Sequence, residues 1–470
     1  MTPPVPCSPT APQGSSDPLN VRVLVGILML TALHAFNELV LVVAMPSIHT
    51  ELGGEQWYGL MMGAYVVASI SGMIWTAKGL DSKGATTVLA ISLWCLLAGH
   101  ILAIISWDVG SFVLARTLQG IGGGISLTLA FALVKLCFCA TSRPRVLSIV
   151  DIAWVIPSLI APVIGAWLLE VAHWRFIFAV QLVLLALSVL IFRGQLNGLG
   201  PESHNTRGNP LKEPLLMALG LGLMIYLLAT PFGWHWSLLL PAAMLSIRVT
   251  ATNMPQQWWL AREPLSISVC ITLACCTIFF GLQTYFPLYL TQALHTDNLQ
   301  AGVVLTLASL GWLSGSNVRA RLLTGLGQIT CLWLGFSVLL LGLACLGVMI
   351  TLHYGLAAAY AGWFVGGLAM GIINNACKSF AVNSAGPHTP GQIATAISLA
   401  TNIGIGFSIA LGGAIKNSVA AQPSGIEQAI FLLWLVSGAL TLCCWGLLSF
   451  ASLRQFRNKR NHSQQEPLSD

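Results

Sequence analysis

Charge is scarce in this chain of 470 residues. Asp, Glu, Lys and Arg make up 8% of it and apolar residues 56%, whereas soluble domains are about 25% charged. A membrane-spanning helix needs about 20 largely apolar residues, so this composition predicts an integral membrane protein. The net charge of +6 then reflects the loops and not affinity for nucleic acid. From Pro264 to Leu453 the charged residues all lie between apolar runs: Asp297, Arg319, Arg321, Lys378, Lys416 and Glu427.

The chain also lacks the motifs of enzymes and of ATP-driven pumps. No P-loop, G-x-S-x-G or H-E-x-x-H occurs, and only the loop at 194–212 is long. We therefore predict that the protein is not an enzyme and binds no cofactor. The 12 cysteines are scattered along apolar segments, and Cys137 and Cys139 have no His or Asp beside them. This distribution predicts packing roles and no metal site.

Fourteen apolar runs are separated by turn or charge signals, and we predict that each is a helix that crosses the membrane. The eighth run is the weakest, because it is short and contains Pro241. The predicted segments are 23–45, 57–77, 86–106, 110–134, 147–169, 175–192, 213–231, 235–250, 266–291, 299–318, 328–350, 355–377, 391–415 and 427–450.

The basic residues test this number, because cytoplasmic loops of membrane proteins are enriched in Lys and Arg. If both termini are cytoplasmic and all fourteen segments cross, only Arg175 and Lys416 fall on the opposite side, and Arg116 lies within a helix. Crossing by only one of segments seven and eight would abolish this bias. The alternative is twelve spans with a surface hairpin.

The order of the segments predicts an all-α integral membrane protein with two six-helix halves. We expect a disordered cytoplasmic tail at 1–21, an N-terminal half at 22–193, a loop with two inserted helices at 194–263, a C-terminal half at 264–453 and a cytoplasmic tail at 454–470. The apolar run after the first tail is too long for a cleaved signal peptide. Paired six-helix halves are typical of transporters whose binding site lies near the bilayer midplane.

An acidic residue lies near the middle of the first segment, where Glu38 follows His34 by about one helical turn. A carboxylate at the bilayer centre costs at least about 2.5 kcal/mol, so it normally faces a cavity or a partner. An acid in an apolar cavity can exchange a proton near neutral pH. We predict that Glu38 binds either a proton or a cationic substrate. The alternatives are a structural hydrogen bond for Glu38 and a packing role for His34.

The first and fourth segments each carry a charged residue at a defined spacing from proline or glycine residues. The first reads Asn37-Glu38-Leu-Val-Leu-Val-Val-Ala-Met-Pro-Ser-Ile, an acid followed six residues later by Ala-Met-Pro-Ser-Ile. The fourth reads Arg116-Thr-Leu-Gln-Gly-Ile-Gly-Gly-Gly124 and therefore fits the pattern R-x-x-Q-G-x-G-x-G.

The fifth segment and the loop after segment two carry two further patterns. The fifth segment contains Pro157-Ser-Leu-Ile-Ala-Pro162-Val-Ile-Gly165-Ala, and the loop reads Lys-Gly-Leu-Asp81-Ser-Lys-Gly84. Together these four stretches resemble the major facilitator superfamily, specifically its branch of 14-spanner drug:proton antiporters. The resemblance covers roughly 22–450.

The resemblance implies roles for several of these residues. In this family the arginine at the position of Arg116 faces the core and influences proton movement; the alternative is that Arg116 snorkels to the surface. Gly120 and Gly124 would allow close helix packing. Pro157 and Pro162 would let the fifth helix bend as the protein rocks between its two states. Gly165 would allow close packing of this helix against a neighbour. The fifth-segment motif leans towards antiport, since symporters generally lack it. The loop keeps only Asp81 and Gly84 of its motif.

Asp151 allows two interpretations. It opens the predicted fifth segment after Arg143 and Arg145, and an acid in the first turn is favoured by the helix dipole. If the helix begins earlier, Asp151 lies deeper and becomes a candidate second protonatable site.

Neutral polar and aromatic residues are candidates for the lining of a substrate cavity, which suits bulky amphipathic compounds more than small anions. Individually these assignments are weak, because many such residues merely form hydrogen bonds within the protein. In the N-terminal half they are Asn37, Gln119 and Trp154, and in the C-terminal half Gln283, Tyr285, Asn374, Asn375 and Asn402.

The sequence therefore predicts a proton-coupled exporter of amphipathic or cationic drug-like compounds. Its predicted partners are a small-molecule substrate, protons and the lipid bilayer, without nucleic acid. We expect a monomer in the cell inner membrane with both termini in the cytoplasm, and the sequence leaves a periplasmic adaptor open. Proton-coupled uptake or export of a specific metabolite and a receptor that transports nothing are the alternatives.

Overall fold

Fourteen helices make up the structure, a computed structural model. It describes residues 21–139, 142–192, 211–230, 233–254, 258, 263–352, 355–383, 390–420, 422 and 424–463. The helices are α1 Val21–Leu52, α2 Glu55–Thr76, α3 Lys78–Ile104, α4 Val109–Cys137, α5 Arg143–Val171, α6 Arg175–Phe192, α7 Lys212–Ala229, α8 Leu239–Asn253, α9 Pro264–Gln292, α10 Asn298–Arg321, α11 Gln328–Leu352, α12 Leu356–Asn383, α13 Pro390–Val419 and α14 Gly425–Ser463.

The predicted fold class is confirmed: the described residues form helices, turns and loops without a strand, and 13 helices are long and apolar enough to cross a membrane. The other helix, α8, has 15 residues and follows a short 3-10 helix at Trp234–Leu238. Together these two span about 30 Å, close to the thickness of the hydrocarbon core. At the other extreme, α14 continues to Ser463 and so extends into the predicted C-terminal tail.

Side-chain caps fix the start of two helices. Asp108 accepts a hydrogen bond from the backbone N–H of Ser111 (2.8 Å), and the Ser111 hydroxyl accepts one from the backbone N–H of Asp108 (3.2 Å). This capping box satisfies two backbone donors at the start of α4, and the hydrogen bonds from Ser111 lower the pKa of Asp108. Asp297 caps α10 through the backbone N–H of Gln300 (2.6 Å).

Glycines bring helix backbones into direct contact in both six-helix sets. On α4, a Cβ atom at Gly124 would overlap the carbonyl oxygen of Ser69 on α2. The same holds on α10, where a Cβ atom at Gly315 would overlap the carbonyl oxygen of Leu368 on α12. Small residues are what allow membrane helices to pack this closely. The α2–α4 and α10–α12 pairs are therefore in direct backbone contact.

The two membrane surfaces are called here the near face, at which α1 begins with Val21, and the far face, at which α1 ends at Leu52. Glu38 lies between these ends, close to the middle of α1. The odd-numbered helices α1, α3 and α5 run from the near to the far face, and α2, α4 and α6 return. The same alternation continues through the last six helices.

Candidate functional site

Glu38 and His34 lie together inside the N-terminal six helices. The Glu38 carboxylate Oε2 is 3.9 Å from His34 Nε2, and the Glu38 side chain retains 16% exposure while that of His34 retains none. Because the two residues are one helical turn apart, α1 itself brings them together. Glu38 is thus an interior acid whose side chain is not completely buried.

Arg116 is buried at the same level as Glu38 and does not snorkel to the surface. It is 2% exposed, and its Nη1 donates to Asn37 Oδ1 (3.1 Å) and to Gln119 Oε1 (2.6 Å). The Gln119 amide in turn donates to the Gly99 carbonyl (3.1 Å), which links α4 to α3. Arg116 and Glu38 also interact electrostatically. Neutral oxygens therefore surround a permanent charge, with an acid close by.

Tyr65 is a member of this site that the sequence motifs did not indicate. Its hydroxyl lies 2.8 Å from His34 Nδ1, and the Arg116 guanidinium carbon lies 4.4 Å from the centre of its ring. Tyr65 is 1% exposed. One signal was available: Tyr58 and Tyr65 are seven residues apart and so share a face of α2.

Trp154 and Gly123 also lie next to His34. Trp154 on α5 meets the His34 ring edge-on, with ring centres 5.6 Å apart. On α4, a Cβ atom at Gly123 would lie 2.5 Å from the Tyr65 hydroxyl and 3.0 Å from His34 Nδ1. Glycine at 123 therefore leaves the space in which the two polar groups meet.

Helix α5 carries the predicted bending motif beside the site. Pro157 and Pro162 lie inside the helix, and a Cβ atom at Gly165 would lie 2.7 Å from Val40 of α1. Because α5 begins at Arg143, Asp151 lies beyond the first turn. The interpretation of Asp151 as a first-turn acid is therefore wrong. The side chain of Asp151 is outside the described residues.

The predicted polar residues of the C-terminal six helices do not form one cluster with Glu38 in the described structure. The Tyr285 hydroxyl donates to the Ile409 carbonyl (2.8 Å), and the Asn402 amide to the Ser398 carbonyl of its own helix (3.0 Å). Gln283 is 4% exposed. Asn374 and Asn375 lie half-buried on α12; Ser379 donates to Asn375 at 3.5 Å.

The motif predicted to be a loop after segment two is helical in the structure. It lies within the continuous helical stretch Tyr58–Ile104, which includes most of α2 and all of α3 and is kinked at Gly84. Gly84 has φ 77° and ψ 163°, a conformation that favours glycine, and Asp81 is exposed. Next to it, Lys78 forms an ion pair of 3.1 Å with Glu213 at the start of α7. The first inserted helix, α7, is thereby attached to the start of α3.

At the far face, α13 is bound to the N-terminal six helices. We call this the far-face seal: Lys416 Nζ donates to the Glu55 carbonyl (2.7 Å), and the Asn417 amide donates to the carbonyls of Gln56 (3.0 Å) and Ala229 (3.2 Å). Lys416 is 4% exposed. The seal therefore joins α13 to the start of α2 and to the end of α7.

Tight packing extends the far-face seal towards the midplane. The Tyr58 hydroxyl donates to the Thr284 carbonyl (3.2 Å). A Cβ atom at Gly59 would lie 3.3 Å from the Cα atom of Gly413. These contacts close the far ends of α2, α9 and α13 against one another.

The sequence and fold were compared with known proteins. The family model of the Major Facilitator Superfamily matches residues 27–409. A probable multidrug-efflux transporter of Mycobacterium tuberculosis is 26% identical over 305 residues, which cover 62% of this chain and 64% of that protein. The multidrug transporter protein MdtP of Bacillus subtilis is 22% identical over 84% of this chain and 75% of its own length. A solved peptide transporter shares the fold with a TM-score of 0.66 and 16% identity, covering 91% of this chain and 94% of that one.

Proposed function

This chain belongs to the Major Facilitator Superfamily, so it is a multi-pass membrane transporter and not an enzyme, and from that premise we propose that it exports amphipathic or cationic drug-like compounds in exchange for protons. The observation that carries this proposal is the Glu38 carboxyl group inside a membrane helix, 16% exposed, beside the buried charge of Arg116. An ionisable residue inside a membrane helix is a functional group by default.

Exchange follows if proton and substrate compete for the same acid. A protonated Glu38 is neutral and does not attract a cation, whereas an ionised Glu38 binds one. Each cycle then carries a proton one way and a substrate cation the other way, without any further chemical step.

The substrate class is supported by the aromatic surroundings of the acid and by the relatives. Trp154 is half-buried and packs edge-on against His34, one helical turn from Glu38, and an aromatic ring can bind an organic cation. Two relatives are named as multidrug transporters. Export, and not uptake, is further supported by the proline and glycine pattern of α5.

For the setting of the protein, we propose a monomer in the inner membrane. The near face is cytoplasmic in this proposal, because nearly all Lys and Arg then lie in cytoplasmic segments. The two six-helix halves would be 22–193 and 264–453, with α7 and α8 inserted between them. A periplasmic adaptor stays outside the proposal.

The far-face seal implies the conformational state. With the far ends of α2, α9 and α13 closed, the site would be reached from the near face, which is the cytoplasmic side in this proposal. Transport then requires the seal to open and the near face to close. Lys416 is the charged group whose hydrogen bond must break.

Replacing Lys416 by methionine is expected to favour the state that is open to the far face. A hydrogen bond from a charged donor contributes about 1.5–3 kcal/mol, so the open population should rise about tenfold or more. The measurement is the rate at which an impermeant maleimide, added outside cells, labels a cysteine introduced at Val66 below the seal.

Arg175→Met is the matched control for Lys416→Met. Arg175 is also a far-face cation, but it donates to Ile104 and Ser106 within the N-terminal six helices. Its loss should leave the labelling rate unchanged. An equal effect of the two substitutions, or none from Lys416→Met, would count against the seal.

The proposed function is tested by ethidium efflux from energised bacteria that lack their own major pumps. Cells with the protein should export ethidium, and a protonophore that collapses the proton gradient should stop export. Accumulation of ethidium in energised cells would indicate uptake instead, and absence of any flux would reject ethidium-like cations as substrates.

A further inference from the structure

Tyr65 contacts both His34 and Arg116, the two neighbours of Glu38, and we propose that it is a positioning residue for proton coupling. Its hydroxyl holds His34 in the tautomer that presents Nε2–H to Glu38, while its ring holds the guanidinium of Arg116. The inference deepens the proposed function and rests on it for its consequence in transport. The tautomer itself is a property of the free protein.

The hydroxyl of Tyr65 needs an acceptor because it is buried. Tyr65 is 1% exposed, and His34 Nδ1 lies 2.8 Å from its oxygen. A neutral imidazole has one donor and one acceptor nitrogen. If Tyr65 donates to Nδ1, the imidazole hydrogen must be on Nε2.

The surroundings of the other nitrogen of His34 favour this Nε2–H tautomer. His34 Nε2 is buried and has no hydrogen-bond partner among the described residues, and the carboxylate oxygen of Glu38 is 3.9 Å away. An N–H group facing a carboxylate is attracted to it, whereas a nitrogen lone pair in that place is repelled. The Nε2–H tautomer therefore lets Nδ1 accept the hydrogen bond from Tyr65 and places Nε2–H towards the carboxylate, at a distance longer than a hydrogen bond.

A second acceptor beside the His34 ring would allow the other tautomer as well. The backbone carbonyl of Gly123 also lies within hydrogen-bonding reach of the His34 ring. Donation from Nδ1–H to that carbonyl would leave a lone pair facing Glu38 and the Tyr65 hydroxyl without its acceptor. The hydroxyl of Tyr65 is thus the group that decides between the two arrangements.

In the described part of the chain, few other charged groups lie around His34 and Glu38. Arg116 faces the pair from α4, and its guanidinium carbon lies 4.4 Å from the centre of the Tyr65 ring, a favourable cation–π contact. On α5, Trp154 is neutral, and the side chain of Asp151 is outside the described residues. Tyr65 is therefore a single side chain of α2 that touches the partners of Glu38 from both α1 and α4.

A double-mutant cycle on ethidium efflux tests the coupling. Tyr65→Phe keeps the ring over Arg116 and removes only the hydroxyl, so the protein should fold and bind ethidium normally. Its maximal proton-coupled efflux should fall about tenfold, the effect of about one lost hydrogen bond to a charge-bearing pair. In the His34→Gln background the same change should have less than about a twofold effect, because Tyr65 acts through His34.

Tyr58→Phe is the matched control, since Tyr58 is also a buried tyrosine of α2 but donates to Thr284 in the far-face seal. Its effect should be equal in the wild-type and His34→Gln backgrounds. Normal efflux in Tyr65→Phe, or an effect as large with His34→Gln as without it, would overturn the proposal.

The tautomer is measured separately from transport by ¹⁵N NMR of the purified protein, with the His34 signals assigned by their loss in His34→Gln. The expected state is Nε2–H in the wild type and a loss of that preference in Tyr65→Phe. Nδ1–H in the wild type would overturn the inference even if efflux is proton-driven. If the wild type exports no ethidium but shows the Tyr65-dependent Nε2–H tautomer, the proposed function fails and the positioning role stands.

Discussion

Glu38→Gln is expected to reduce drug efflux to the background of cells without the protein, a loss of at least about a hundredfold. Glutamine has nearly the shape of a protonated glutamate but can neither release a proton nor bind a cation by charge. The exchange cycle therefore stops at its central step. Efflux of ethidium at equal expression is the measurement, and the variant should still be folded and inserted in the membrane.

Two further variants serve as controls for Glu38→Gln. Glu38→Asp retains the charge on a shorter side chain and should keep part of the activity. Glu427→Gln removes a carboxylate at the start of α14, away from the site, and should export at the wild-type rate. Full efflux by Glu38→Gln would exclude Glu38 as the coupling residue.

Gly124→Ala is expected to have the largest effect on stability. The new methyl group would overlap the backbone carbonyl of Ser69, and a backbone atom cannot move aside as a flexible side chain can. Overpacking costs about 1–3 kcal/mol where side chains can adjust, so the cost here should be at the upper end of that range or above it. The measurement is thermal unfolding of the purified protein, together with the yield of folded protein.

The control for Gly124→Ala is Gly438→Ala on α14. Gly438 is also within a helix, but no atom lies within 4 Å of a Cβ placed there. Its replacement should leave the unfolding temperature unchanged or slightly raised, because alanine favours a helix. Equal stability of the two variants would show that α2 and α4 are not in backbone contact.

The helices and one of the two hydrogen-bond partners of Arg116, Gln119, were accessible from the sequence. Long apolar runs and the basic residues between them indicated fourteen segments, which the structure confirms as helices. Arg116 and Gln119 are three residues apart on one helix face, so their contact follows from helix geometry. Glu38 and Arg116 could be identified from the sequence because a charge inside a membrane helix is costly and therefore rare.

Tyr65 and the far-face seal could not be predicted in this way. Tyr65 reaches His34 because α2 and α4 approach closely at Gly120 and Gly123, a feature of three-dimensional packing. Lys416 was identified only as a far-side charge, since its acceptor is the backbone carbonyl of Glu55. Backbone carbonyls are present at every position and leave no signal in a sequence.

Proton release by the purified protein tests the central claim most directly. Ethidium is added to the wild type and to Glu38→Gln in lightly buffered detergent solution, and the pH of the solution is followed. Competition at Glu38 predicts that the wild type releases protons as it binds ethidium and that Glu38→Gln releases none. Equal release from both proteins, or binding by the wild type without any release, would contradict exchange at Glu38.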